Sequence, residues 1–159
     1  MSDTSVPSDS GAAARARLVR SAIGVFELIP YWAVALIARL SMAGVFWQSG
    51  QTKVMGWHLS DSAITLFRYD YNLPLIDPVI AAYLAAFAEH FFSFLLAIGL
   101  ATRFSALAFL AMTLVIQIFV YPDAWPTHGT WAACLLMLMS RGPGCVSLDH
   151  LVARHYGRR

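Results

Sequence analysis

Val79 to Leu100 reads VIAAYLAAFAEHFFSFLLAIGL and Phe104 to Val120 reads FSALAFLAMTLVIQIFV. The first run holds one acid, Glu89, and the second has only Ser105, Thr113 and Gln117 as polar members. An α-helix rises about 1.5 Å per residue, so roughly 17 to 25 apolar residues cross the ~30 Å hydrocarbon layer of a bilayer. Both runs meet that length, and the Ala101-Thr102-Arg103 link between them is only long enough to turn the chain. The pair therefore reads as an antiparallel hairpin of membrane-crossing helices.

Working outward, Pro30 to Gln48 (PYWAVALIARLSMAGVFWQ) is another apolar run, interrupted by Arg39. Pro30 suits a helix start, and Gly50 with Lys53 marks the expected exit. Thr127 to Ser140 is shorter and reaches span length only by starting at Ala124. The expectation is an all-α, polytopic membrane protein: a four-transmembrane-helix bundle with spans at about 30–48, 79–100, 104–120 and 124–140. Between the first two spans, Ser60 to Tyr71 (SDSAITLFRYDY) offers Ser60 as an N-cap and places Ala63, Ile64 and Phe67 on one helical face. This predicts a short external interfacial helix, ended by Pro74 and Pro78. The expected organisation is a polar tail and cytoplasmic interfacial segment over 1–27, a membrane domain over 28–151 and a basic tail over 152–159.

Composition agrees with the spans. Of 159 residues, 58% are apolar and 13% charged, with a mean hydropathy of +0.61, whereas a soluble domain carries about 25% charged residues. The 11 Lys and Arg against 9 Asp and Glu are spread along the chain, so no basic footprint for nucleic acid arises. Met1 to Ala14 has no apolar core, which argues against a cleavable signal peptide and makes the first span the insertion signal. Cys134 and Cys145 form no CxxC pair, so they predict neither a disulfide framework nor a zinc site. No GxSxG, HExxH, P-loop or GxGxxG pattern occurs, which disfavours self-contained hydrolase or nucleotide chemistry.

The cations set an orientation. Arg15, Arg17, Arg20, Arg103, Arg141, Arg154, Arg158 and Arg159 fall on one side of the expected spans, and Lys53 and Arg68 on the other. The excess predicts both termini in the cytoplasm. Tyr31, Trp32, Trp47, Trp57, Tyr121, Trp125 and Trp131 cluster near the span ends, as an aromatic belt requires.

Charges inside the spans are the candidates for chemistry. Arg39 is the tenth residue of its span and Glu89 the eleventh of an antiparallel one. Counting thus places both near the midplane, where each charge alone costs roughly 2.5–3.5 kcal/mol. The expectation is a midplane Arg39–Glu89 pair, serving either as a register lock or as part of a functional cavity. Toward the external face, Lys53, His90, Gln117, Tyr121 and His128 are expected to line an outward pocket. Such a pocket suits a quinone headgroup, a soft metal bound through histidines, or proton passage by Glu89 and His90. No metal ligand set is predicted.

The pattern resembles a DoxX-type protein, a family of small four-helix inner-membrane proteins, over about Val34 to Leu151. The resemblance rests on Arg39, Gly44, Gly50 and Lys53, on Glu89, on Gly99-Leu-Ala-Thr-Arg103, and on Arg141-Gly-Pro-Gly144 leading to Ser147-Leu-Asp149. Leu73-Pro-Leu75, the run Met112 to Pro122, and Trp125 with His128 make it similar to the DoxX-like branch found beside copper-binding, bufferin-type modified peptides. The chain has His90-Phe91-Phe92 where a proline is expected after Glu89. The resemblance implies an accessory role in metal, including copper, or redox-stress handling, with a protein or modified-peptide partner in the bilayer and a homo-oligomer left open. The wider family implies the alternative, a quinone-binding membrane subunit of an oxidoreductase. A small-solute or proton carrier is a third reading, disfavoured by the lack of inverted repeats or broken helices.

Overall fold

The computed structural model describes residues 10–71 and 76–157. The polar start of the chain, Leu73-Pro-Leu75 and Arg158 and Arg159 lie outside the described residues. The chain divides into two units, Met1–Tyr31 and Trp32–Arg159. In the first, helix α1 covers Ser10–Glu27 and ends in turns donated by the amides of Leu28 and Ile29, just before Pro30.

The second unit is almost wholly helical. Helix α2 (Tyr31–Lys53) leads through a two-residue hairpin, β1 (Val54–Met55) and β2 (His58–Leu59), into the short helix α3 (Asp61–Leu66). A π-helical turn, Phe67–Tyr71, follows. Then come α4 (Pro78–Ile98), α5 (Thr102–Phe119), a 3₁₀ turn (Pro122–Ala124), α6 (Trp125–Arg141) and α7 (Leu148–Tyr156). Among the described residues the fold is all-α apart from that hairpin. Two helices among these residues, α4 and α5, are long and apolar enough by themselves to cross a membrane, and a third candidate arises only when α1 and α2 are counted together.

Helix ends follow local chemistry. The Asp77 carboxylate caps α4 by accepting from the amides of Val79 (2.9 Å) and Ile80 (3.2 Å), with Pro78 at the first helical position. Gly99, at φ +73°, ends α4 in the left-handed conformation, and the Leu100 amide donates back to Leu95 O. Ser60 caps α3 as its sequence predicts, accepting from the Ala63 amide at 3.2 Å. Ala101 precedes α5 at φ +49° and has no side chain to cap it. Asp149, from the start of α7, supplies the cap from a distance: Oδ1 accepts from Ala101 N (2.8 Å) and Oδ2 from Thr102 N (2.9 Å).

Burial is inverted relative to a soluble domain. Arg39, Lys53, Glu89, Ser93, Thr102, Ser105, Thr113 and His128 are buried, while Ile80, Leu84, Phe87 and Phe94 of α4 and Leu114 and Ile118 of α5 face outward. Water would penalise that much exposed apolar surface, and lipid does not. Inside, Phe46 of α2 stacks on Phe109 of α5 at 3.9 Å, and Phe92 of α4 and Trp131 of α6 close on the same pair. Buried alanines (Ala35, Ala38, Ala43, Ala82, Ala86 and Ala106) make room for these rings.

Helix α2 continues five residues past the expected span end at Gln48, and Lys53, expected at the exit, is buried. Residues 152–156 of the expected basic tail form the last turns of α7, and Arg158 and Arg159 lie outside the described residues.

Candidate functional site

Gly50 decides how α2 meets α4. A Cβ at this position would lie 2.8 Å from the His90 ring and 3.2 Å from Glu89 Cβ, so only glycine permits the approach. Beside that contact, Ser49 and Lys53, one turn apart, share a face, and both reach Glu89. Lys53 Nζ lies 2.9 Å from each Glu89 carboxylate oxygen. It also donates to Ser49 Oγ (3.0 Å) and Ser49 O (3.2 Å), while Ser49 Oγ donates to Glu89 Oε1 (3.0 Å). Glu89 Oε2 has the ion-pair contact but no hydrogen bond of its own, so one carboxylate oxygen keeps acceptor capacity.

Arg39 is not in this cluster, which overturns the expected midplane pair. Its Nη2 donates to Val146 O at 2.8 Å, and its guanidinium packs so tightly on Gly99 that a Cβ there would overlap Nη1. Ser147 and Asp149 border the same spot. The reason is register. Gly50 lies beside His90 and Arg39 beside Gly99, so Arg39 and Glu89 are about ten residues out of step, roughly 15 Å along the axis. Counting from the expected span starts could not see this offset.

A cavity of about 310 Å³ opens above the Lys53–Glu89 pair. Its walls are apolar: Phe67 and the π turn on one side, α4 alanines on another, and Met112, Val115 and Ile116 of α5 opposite. Ile76 and Leu84, both about half exposed, stand at its mouth. Tyr71 stacks on Phe67 at 4.3 Å and lines both this cavity and a smaller one of about 140 Å³ that contains Ser49, Tyr121, His128 and Trp131. Burial first, then the nearby Glu89 carboxylate and Tyr121, push the Tyr71 phenol up to about 12. It is thus a hydrogen-bond donor at any physiological pH.

The expected outward pocket is therefore brought together in part. Lys53 floors the larger cavity, and Tyr121 and His128 line the smaller. Gln117 supports from behind: its Nε2 donates to Pro122 O, so Oε1 accepts from His128 Nδ1 at 2.7 Å. His90 turns away. Its Nδ1 donates to Ala86 O (2.7 Å), its Nε2 faces Gln51 Nε2 (2.9 Å), and its ring meets Trp47 edge to face. Among the described residues no group of three or more His, Cys, Asp or Glu is placed to hold a metal ion.

Ser49 and Tyr71 are not among the residues expected from the sequence to form the site, and Phe67 is read there only as part of the face of the external helix. The signal for Ser49 and Lys53 was their spacing around Gly50; Tyr71 carried none, because the π turn that aims it has no sequence mark.

A DoxX family model matches residues 34–122, from α2 through α5, more than half of the chain and inclusive of Lys53, Tyr71 and Glu89. The chain belongs to the DoxX family. An "Uncharacterized protein" of Haemophilus influenzae is similar to it, 30% identical over 129 residues that cover 76% of this chain and 84% of the relative. No solved structure matches. Family and apolar helices together make this a DoxX-type membrane protein.

Proposed function

We propose that this DoxX protein is a multi-pass inner-membrane subunit that binds a quinone-class amphiphile in the cavity above Lys53 and Glu89, serving a partner that supplies the electrons. In this reading α2, α4, α5 and α6 are the four spans, both termini are cytoplasmic, and α3 lies at the external interface. The observation that carries it is the cavity itself: apolar walls, a mouth at the half-exposed Ile76 and Leu84, and a floor of one ammonium and one carboxylate. Ligand sites commonly combine an apolar lining with a few convergent polar groups, and about 300 Å³ is the lower end of their size range.

The residues fit a quinone in chemical terms. Tyr71 stays protonated and can donate to a headgroup carbonyl, Glu89 Oε2 can accept from a quinol hydroxyl, and Lys53, whose three donors go to Glu89 and Ser49, holds that carboxylate in place. Quinone reduction takes up two electrons and two protons, and the electrons come from the partner. A role in redox-stress handling follows from that chemistry. The π turn beside the cavity agrees, since such turns occur often at functional sites.

The test is titration of the purified protein in nanodiscs with a short-tailed quinone, followed by quenching of intrinsic fluorescence. Saturable binding that is lost in Ala111→Trp, which fills the wall, supports the proposal; equal, non-saturating quenching of both proteins overturns it.

A further inference from the structure

Gln48 is exposed, and among the described residues its amide has no partner within the chain. The contacts of Gly50 with His90 and of Arg39 with Gly99 put Gln48 level with about residue 91 of α4, roughly 5 Å from the middle of the Pro78–Ile98 helix. At that depth there is no water to satisfy an amide, and polar groups there face a partner helix or a cavity.

The surface around Gln48 is shaped for a helix. A groove of about 340 Å³ runs between α2 and α4, with Ala43 and Gly44 on one wall and Ser93 and Ala97 on the other. The Ser93 hydroxyl is buried on this lining, 1% exposed, and has no hydrogen-bond partner. Gly44 adds a separate clue. A Cβ there would meet nothing within 4 Å, so nothing in this chain's own fold needs glycine at a helix position where alanine is more stable by about 0.5–1 kcal/mol. Small residues on an outer helix face let a second helix backbone come close.

We propose that this groove is a dimer interface that receives α2 from a second copy of the chain. All copies insert with the same orientation, so two α2 helices related by a two-fold axis along the membrane normal meet residue to like residue at equal depth. Gly44 then sits at the crossing, and Gln48 faces the partner's Gln48. An amide carries both donors and an acceptor, so it satisfies its own copy. Leu40 and Trp47, half exposed on the rim, gain contact in the same step.

The interface is on the other side of α4 from the Lys53–Glu89 cavity, so its failure and that of the quinone reading are separable. The test is oxidative cross-linking in native membranes of Gln48→Cys, made with Cys134→Ala and Cys145→Ser, against Leu114→Cys on the outward face of α5. The expected result is a disulfide-linked pair at position 48 and none at position 114. Light scattering of Gly44→Leu in mild detergent, with helix content checked by circular dichroism, should give a folded monomer where the parent is a dimer. Gln48→Leu should weaken the dimer about tenfold, as the loss of one interhelical polar contact does. Absence of a position-48 pair, equal linking at 114, a position-48 adduct with a different protein, or an unchanged mass for Gly44→Leu each overturns the proposal.

Discussion

Lys53, in the last turn of α2, places its ammonium 2.9 Å from each oxygen of Glu89 in the middle of α4, and both side chains are buried. Every account of this protein has to accommodate that pair. Desolvating two charges costs several kcal/mol each, and mutual attraction offsets it only with good geometry and added hydrogen bonds, which Ser49 provides here.

Removing one partner leaves the other stranded. Lys53→Met should destabilise the protein by about 3–5 kcal/mol, and Lys53→Met with Glu89→Leu should recover most of the loss. Equilibrium unfolding in mixed micelles reads this directly. The same experiment on Arg39 and Glu89 should give additive effects within about 0.5 kcal/mol, since the two do not touch; a larger coupling would restore the midplane pair.

Arg39 instead belongs to a knot at the end of α4, where residues distant in the chain converge. Gly99 accepts the Asp149 amide on its carbonyl (2.9 Å), and Asp149 caps α5. Replacing Asp149 by Ala should cost about 0.5–2 kcal/mol through loss of the cap. Gly99→Ala should cost more, because it adds a left-handed alanine to a collision with the Arg39 guanidinium. Thermal unfolding followed by circular dichroism ranks the two.

Ala101 holds a left-handed conformation at φ +49°, which costs a non-glycine residue about 1–2 kcal/mol. Ala101→Gly relieves that strain while adding unfolded-state entropy, so a net gain of about 0.5 kcal/mol is expected as a small rise in Tm. A fall in Tm would show that the strain is not there.

Much of the fold is legible in the sequence, for physical reasons. The runs 79–100 and 104–120 are long, apolar and separated by only three residues, so length and hydropathy alone define them, and α4 and α5 follow within two residues. Ser60 likewise announces its cap. Relative register between helices is different, because it depends on which side chains interlock. Gly50 against His90 fixes it here, and no count from the span ends reveals that contact. Hence Arg39 and Glu89 were correctly read as buried but wrongly joined. Lys53 was read as an exit cation because a lysine near a helix end ordinarily snorkels to water; the acceptor that holds it inside comes from another helix.

Tyr71 predicts a pH response. Its phenol is pushed up to about 12, so folded protein keeps the proton more tightly than the unfolded chain, whose tyrosines titrate near 10. Stability is then unaffected by this group below about pH 10 and falls as pH rises from there toward 12. Tyr71→Phe should remove that alkaline loss, as well as the latest-titrating component of the tyrosinate absorbance.

The most direct measurement of the central claim is organic extraction of the protein purified from its native membrane in mild detergent, with mass spectrometry of the extract, for wild type, Glu89→Leu with Lys53→Met, and Ala111→Trp. The account predicts a quinone at near-stoichiometric level in wild type, reduced when the polar floor is removed and absent when the cavity is filled. Wild-type protein without quinone, or equal amounts in all three, would contradict it.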